Sequence, residues 1–519
     1  MRKFSILFLV LFLSMNAMAQ SWHWVYFTDK EGVSFNPLEY FHPKALERRA
    51  KEGLPLDHIT DYPVSEVYID AVSASVDSVS YSSRWFNALS VYAQPWQLEE
   101  VSKLPFVDRI EGMGGLKVSL SGMEVEPLVE DSDDILTHQT QTMGADRFWE
   151  PGIRGKGVRI AIFDAGFPDV DTHPAFEHLR ENNQIKATYD FVQNGKKVYA
   201  HSAHGTMVLS CISGRYSTGK FMGLAQDAEF LLARTERGLL EPFSEEKNWL
   251  AALEWADKMG ADIVNSSLGY TYHRYYPREM DGKTSLVSRA ANMAFSKGIL
   301  VINAAGNEGS DDWKVVGTPA DAEKVISVGG IDPETHYHIS FSSYGPTADG
   351  RMKPNLSAYG KTMVAKKKGE YGIANGTSFA SPLVAGFAAC AKQMAPNLTA
   401  EELKSELEAS GSLFPFYDYA HGYGVPQSNY FFEGLVEGEP SFSWTLNDET
   451  ITVSPKIITQ REAQKEERYV YYHYENASGR LVSYGIYELD ATGSFEVKIP
   501  PKGQVLRLHY LGYTEEISR

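Results

Sequence analysis

The sequence predicts an α/β protein built on a parallel sheet with helices on both faces, preceded by a small α+β unit and followed by a small antiparallel β unit. Three observations predict it. Near-continuous apolar runs, VRIAIF (158–163), EFLLART (229–235), DIVNSSLG (262–269), ILVINAAGN (299–307) and KVISVGG (324–330), have no polar face to offer solvent, so they read as strands buried on both sides. Between them EEKNWLAALEWADKMG and SLVSRAANMAFSKG carry helical spacing, and each ends in glycine, a common helix stop. Beyond about residue 436 helical patterns vanish in favour of alternating segments rich in tyrosine and valine.

Taken in order, the chain opens on Arg2 and Lys3, an apolar stretch from Phe4 to Leu13, and Ala17-Met18-Ala19 before Gln20. That is the layout of a secretory signal peptide over 1–19, with a core too short to span a bilayer. No later segment reaches the roughly 20 uninterrupted apolar residues of a spanning helix. The expected location is therefore secreted, periplasmic or at the cell surface. Residues 20–115 mix an amphipathic helix over 36–54 with the β-branched and aromatic runs VSEVYIDAVS and SRWFNALSVYA, read as strands, and then QLEEVSKLPFVDRIE. The acidic, polar stretch 116–140 reads as an exposed linker, the sheet unit occupies 141–435, and TITVSP, RYVYYHYE, RLVSYGIYEL, GSFEVKIP and VLRLHYLGY form the β unit of 436–519.

Composition narrows the function. With 519 residues, 43% of them hydrophobic and 22% charged, the chain is globular and long enough for several domains. A formal net charge of −18 lacks the positive field that nucleic acid attracts. Two cysteines, Cys211 and Cys390, are too few for a disulfide scaffold or a closed structural zinc site, and both sit in apolar helical runs where buried free thiols are expected. His201 and His204 share a spacing that a metal could use, but no third ligand accompanies them, so no metal is assigned.

Three polar residues stand where sheet elements begin or end. Asp164 closes VRIAIF, at the carboxyl end of a strand, where active residues of such sheets gather. His204 opens the helix-like HGTMVLSCISG. Ser378 lies in GTSFASP ahead of the helix LVAGFAACAKQMA, where the dipole favours developing negative charge. Each alone reads as a cap, a turn or a structural histidine. Together, in the order Asp, His, Ser, they offer an orienting carboxylate, a base and a nucleophile.

Here the chain resembles the subtilisin-like serine proteases, through WEPGIRGKGVRIAIFDAGF (149–167), HGTMV (204–208), NSSLG (265–269), AAGNEG (304–309) and GTSFASPLVAG (376–386). The resemblance implies a subtilisin-like sheet and a serine endopeptidase acting on protein or peptide substrates. It implies that Ser378 is the nucleophile, His204 the general base and then acid, and Asp164 the orienting carboxylate. Asn307 would be the oxyanion-hole amide, with the Ser378 N–H as second donor. Ser267, Leu268 and Gly269 would pair with the substrate backbone and wall the first pocket, and Glu308 would lie at its floor and admit a basic side chain alongside apolar ones. Residues 20–115 resemble the inhibitory propeptides of this family, which implies an intramolecular inhibitor cut away in the linker near 112–140. The C-terminal unit resembles small β tails of secreted proteases, whose roles include substrate binding, docking and export.

Two positions depart from the family pattern. Ala165 stands where Ser or Thr usually follows the catalytic Asp, and His173-Pro174-Ala175 lacks a common Asp, so structural calcium is left unassigned and no cofactor is expected. Two other classes remain to be weighed. A catalytically dead fold of this kind would bind peptides without cutting them. An α/β-hydrolase esterase would need G-x-S-x-G and the order Ser, Asp, His, whereas Ser378 sits in G-T-S-F-A and comes last.

Overall fold

The computed structural model describes residues 20–113, 125–126, 132–237, 244–272, 274–436, 438–456, 468–489 and 493–518. The expected signal peptide and most of the expected linker lie outside the described residues.

Seven parallel strands form the central sheet. From edge to edge they are Leu356–Tyr359, Ile326–Ile331, Leu300–Ala304, Ile263–Ser266, Arg159–Asp164, Glu229–Arg234 and Ile185–Asp190. Their side chains alternate between two cores. Ile160, Ile162, Phe230 and Leu232 join one with the helices His204–Ser213 and Thr377–Met394; Ala161, Phe163, Leu231 and Ala233 join the other with Ser244–Lys258 and Leu286–Ser296. Burial on both faces is why these strands are apolar at nearly every position. It also fixes the side on which each strand end presents its last residue. Asp164 follows Ile160 and Ile162 onto the face that carries the helices beginning near His204 and Ser378.

The amino-terminal unit is a four-stranded antiparallel sheet, Ser78–Ser83, Ala88–Ala93, Ser21–Phe27 and Val107–Gly112 in spatial order. Its own core gathers Val25, Phe27, Leu89 and Val91 with Tyr68 and Val72 of the helix Glu66–Ser73 and Val101 of the helix Pro95–Ser102. This corrects the strand reading of VSEVYIDAVS. Val64, Tyr68 and Val72 recur every four residues and are buried together, a helical period that outweighs β-branched content. The reading of 36–54 as one helix resolves into Pro37–Tyr40 and Pro43–Lys51, divided where Pro43 starts a new first turn.

The stretch read as an exposed linker also differs. Ser132–Gln141 is a helix, and Leu136 and Gln139 are buried against the sheet unit. Gln139 donates to the Met222 carbonyl at 2.6 Å and accepts from Met363 N at 2.8 Å, so its amide acts as a backbone substitute between a loop and the strand Lys361–Ala365.

The carboxyl-terminal unit holds two antiparallel sheets, Phe442–Leu446, Thr450–Pro455 and Phe495–Lys498 in one, and Leu481–Glu488, Tyr469–Glu475, Val505–Tyr510 and Tyr513–Ser518 in the other. It is docked, not trailing: Phe416 of the sheet unit stacks on His473 with ring centroids 4.5 Å apart.

Candidate active site

Asp164 is the last residue of its strand and has 0% exposure. Its Oδ1 accepts from the Ala165 N–H at 2.7 Å, and its carbonyl accepts from Thr235 N at 2.9 Å, so side chain and backbone are both anchored. His204 is the first residue of the helix His204–Ser213. The close approach depends on Gly205: a Cβ there would overlap the Gly166 carbonyl and sit 2.9 Å from Asp164 Cβ.

His204 Nδ1 lies 2.9 Å from Asp164 Oδ2 and 3.0 Å from Oδ1. A carboxylate only accepts, so Nδ1 carries the proton and the neutral ring keeps its lone pair on Nε2. Burial works against the imidazolium, but the charge of Asp164 and its hydrogen bond prevail and hold the His204 pKa above the ordinary 6.5.

Ser378 is the second residue of the helix Thr377–Met394, behind Gly376 at φ 146°, and is 8% exposed. The ring of the next residue, Phe379, lies 5.6 Å from the His204 ring, which puts the imidazole beside the start of this helix. The Ser378 hydroxyl donates to the Ser267 carbonyl at 3.2 Å, and among the described residues no hydrogen bond joins it to His204. A serine hydroxyl turns about one bond, and such contacts tighten only when substrate fills the site.

Donors converge at the same helix end. Asn307 Oδ1 accepts from Thr377 N at 2.9 Å and from Thr377 Oγ1 at 3.0 Å. That fixes which end of the amide is oxygen and leaves Nδ2 as a donor with no acceptor among the described residues. The Ser378 N–H, in the first helical turn, has no acceptor within the helix either. Ser267 Oγ donates to the Ser378 carbonyl at 2.8 Å, and Asn265 Nδ2 donates to Ser267 Oγ at 3.2 Å. Ser381 Oγ donates to Asn265 Oδ1 at 2.9 Å, so the strand end Ile263–Ser266 is tied to the helix that carries Ser378.

Leu268 is buried, and Asn303 Nδ2 donates to its carbonyl at 3.0 Å. Around Gly269 the space where a side chain would project is open. Glu308 accepts from Ser343 Oγ at 3.1 Å through Oε2, and burial raises the pKa of its carboxyl. All eight residues singled out from sequence therefore belong to elements that meet at the carboxyl ends of the strands. Sequence reading missed Thr377, Asn265 and Ser381. Their only signal was their place inside motifs already quoted, GTSFAS and NSSLG.

Ala165 contributes only its backbone, and Ala175 brings no side-chain oxygen to the buried turn at Pro174–Phe176. Among the described residues no group of three or more His, Cys, Asp or Glu side chains could hold a metal. His201, at φ 74°, lies outside the helix that His204 opens. Cys211 and Cys390 are free and buried, and burial pushes the Cys211 thiol up to about 12.

The profile of the subtilase family matches residues 155–424, slightly more than half of the chain and the whole of this site. The chain belongs to the subtilase family. A second profile, the peptidase S8 propeptide domain of Bacteroidota, matches residues 22–124 of this subtilase. Its relatives include serine protease AprX of Bacillus subtilis (strain 168), 31% identical over 284 residues, 49% of this chain and 61% of AprX. They also include M-protease of Shouchella clausii (strain KSM-K16), 26% identical over 360 residues, 66% of this chain and 82% of that protein. Subtilisin BL of Lederbergia lenta is 27% identical over 293 residues, 56% of this chain and 91% of the relative. Among the described residues no helix is long and apolar enough to cross a membrane.

Proposed function

We propose that this subtilase is an exported serine endopeptidase that hydrolyses internal peptide bonds through an acyl-enzyme. The observation that carries the reading is the buried Asp164 carboxylate bound to Nδ1 of His204, which leaves Nε2 basic beside the first turn of the helix that carries Ser378. Ser378 Oγ attacks the scissile carbonyl while His204 Nε2 takes its proton. Asn307 Nδ2 and the Ser378 N–H donate to the oxyanion, and the dipole of an 18-residue helix adds to their field. His204 then protonates the departing amine, and a water, activated by the same imidazole, releases the acyl group. Ser267, Leu268 and Gly269 pair with the extended substrate backbone, leaving sequence preference to the pockets.

Residues 1–19 direct export. The amino-terminal unit, the own propeptide of the chain, is its intramolecular inhibitor, and the cut falls before the helix Ser132–Gln141, whose Leu136 and Gln139 are already packed into the sheet unit. The test is turnover by matured protein of a peptide anilide against a long-chain ester. Anilide hydrolysis that Ser378→Ala abolishes is expected, with the aniline leaving first and the acyl group held on Ser378 until water releases it. Preferential ester turnover, or binding of peptides without cleavage, contradicts the reading.

A further inference from the structure

One buried ion pair beside the site is not used by the chemistry above. Asp164, Arg234 and Asp190 end three neighbouring strands and are paired across them, Asp164 with Arg234 and Arg234 with Asp190. Alternation puts Arg234 on the face of Phe230 and Leu232, the face onto which Asp164 turns. Arg234 is 4% exposed and Asp190 1%. Burying two charges at the end of a sheet gains little for the fold, since packed apolar residues usually do as well there. What the guanidinium touches suggests another purpose.

Arg234 Nη1 donates to Asp190 Oδ2 at 2.9 Å, and Nε donates to the Ala165 carbonyl at 3.3 Å. Ala165 is the residue whose N–H holds the Asp164 carboxylate at 2.7 Å. With no hydroxyl on residue 165, the guanidinium is the side-chain donor that fixes this residue from its other end. Asp190 is itself rigid: Oδ1 accepts from the N–H groups of Val192 and Gln193, each at 2.9 Å. The turn after Ala165 has little freedom, because Gly166, at φ 145°, lies against the backbone of Ala200 and Ser202.

We infer that Arg234, held in place by Asp190, is a positioning residue: it locks Ala165 and thereby the direction in which Asp164 presents its carboxylate to His204. The inference rests on the triad reading. The ionisable groups around this corner are Asp164, His204, Asp190 and Arg234, with His201 Nε2 4.0 Å from Asp190 Oδ2 and Lys367 donating to the His201 carbonyl at 3.0 Å. Loosening Ala165 weakens the Asp164–His204 contact, which lowers the imidazole pKa toward its free value and leaves the substrate pockets intact.

The experiment compares wild type, Arg234→Gln and Arg234→Lys in two ways. In full-length protein carrying Ser378→Ala, the low-field proton resonance of His204 Nδ1–H and the imidazole pKa are followed by NMR. In matured protein, kcat, KM and the pH profile are measured per titrated active site. Arg234→Gln is expected to lower the imidazole pKa, move the acid limb of kcat/KM the same way and reduce kcat about 10–100-fold, with KM within about twofold. Arg234→Lys, which can reach Asp190 or Ala165 but not both through a planar fork, is expected to fall between. An unchanged imidazole pKa and unchanged kcat per site, with only yield or melting temperature reduced, overturns the inference. If the glutamine variant does not fold, the lysine variant decides by the same criteria. The NMR arm does not depend on turnover, so an inactive wild type would reject the protease reading while still testing Arg234.

Discussion

His204 meets opposing forces: burial disfavours its cation, and the 2.9 Å contact with Asp164 favours it more. Because only neutral imidazole acts as base, activity is expected to rise as pH passes through a value above 6.5. The sign for stability is opposite. A pKa raised in the folded state stabilises fully below about 6.5 and loses that contribution as pH rises through the folded value. The acid limb of kcat/KM measured from about pH 5 to 9 checks the first statement; a limb below 6.5 contradicts it. Glu308 carries a second prediction. Its carboxyl pKa is raised by burial, so it ionises later than an exposed glutamate. At the floor of the first pocket, where the resemblance to the family places it, Glu308 should make kcat/KM for a Lys peptide, relative to its Gln analogue, climb as the carboxyl ionises. Glu308→Gln should flatten that climb, and a ratio independent of pH in wild type argues against the role.

At the scale of elements, the site exists because two helices start where one strand stops. Gly205 permits this by giving the Asp164 strand end room against the first turn of the His204 helix. Gly205→Ala would push backbone against backbone, an overpacking expected to cost about 1–3 kcal/mol and to part His204 from Asp164. Urea unfolding should show the loss, and the Nδ1–H resonance should move; a silent substitution would mean the contact is not so tight. The elements that sequence revealed best are those whose environment is uniform. VRIAIF and ILVINAAGN are buried on both faces and read as strands, and Asp164 was legible because it interrupts such a run. Ile185–Asp190 escaped because an edge strand with partly exposed Lys, Thr and Tyr carries no continuous apolar signal. Ser132–Gln141 escaped because its polar face is long and its buried Gln139 looks like a surface residue. Arg234 could not be found at all from spacing, since its meaning depends on two strands, Arg159–Asp164 and Ile185–Asp190, that flank it only in the sheet.

Across the whole molecule, the amino-terminal unit is gripped by charge as well as by apolar packing. Trp24, Tyr26 and Trp85 join the core around Trp249. Beside them Asp257 of the sheet unit takes Arg49 Nη2 at 2.9 Å, Arg84 Nη2 at 3.0 Å and Arg48 Nη2, while Lys297 reaches Asp61 at 2.9 Å. Every one of these side chains is buried, so removing one partner strands several charges. On the proposed reading, cutting the chain therefore does not by itself release the amino-terminal unit. Asp257→Asn is expected to weaken the interface by about 3–5 kcal/mol and shorten the life of the cleaved complex about 10²–10⁴-fold. Native mass spectrometry after cleavage would show it, and an unaltered lifetime would leave the apolar contacts as the sole grip. The central claim, that Asp164, His204 and Ser378 act as one unit, is tested most directly by fluorophosphonate labelling of matured protein, with the modified residue located by mass spectrometry. One adduct on Ser378 is predicted, abolished by Ser378→Ala and slowed at least about 10³-fold by His204→Ala. Labelling of another residue, or an equal rate without His204, would contradict it.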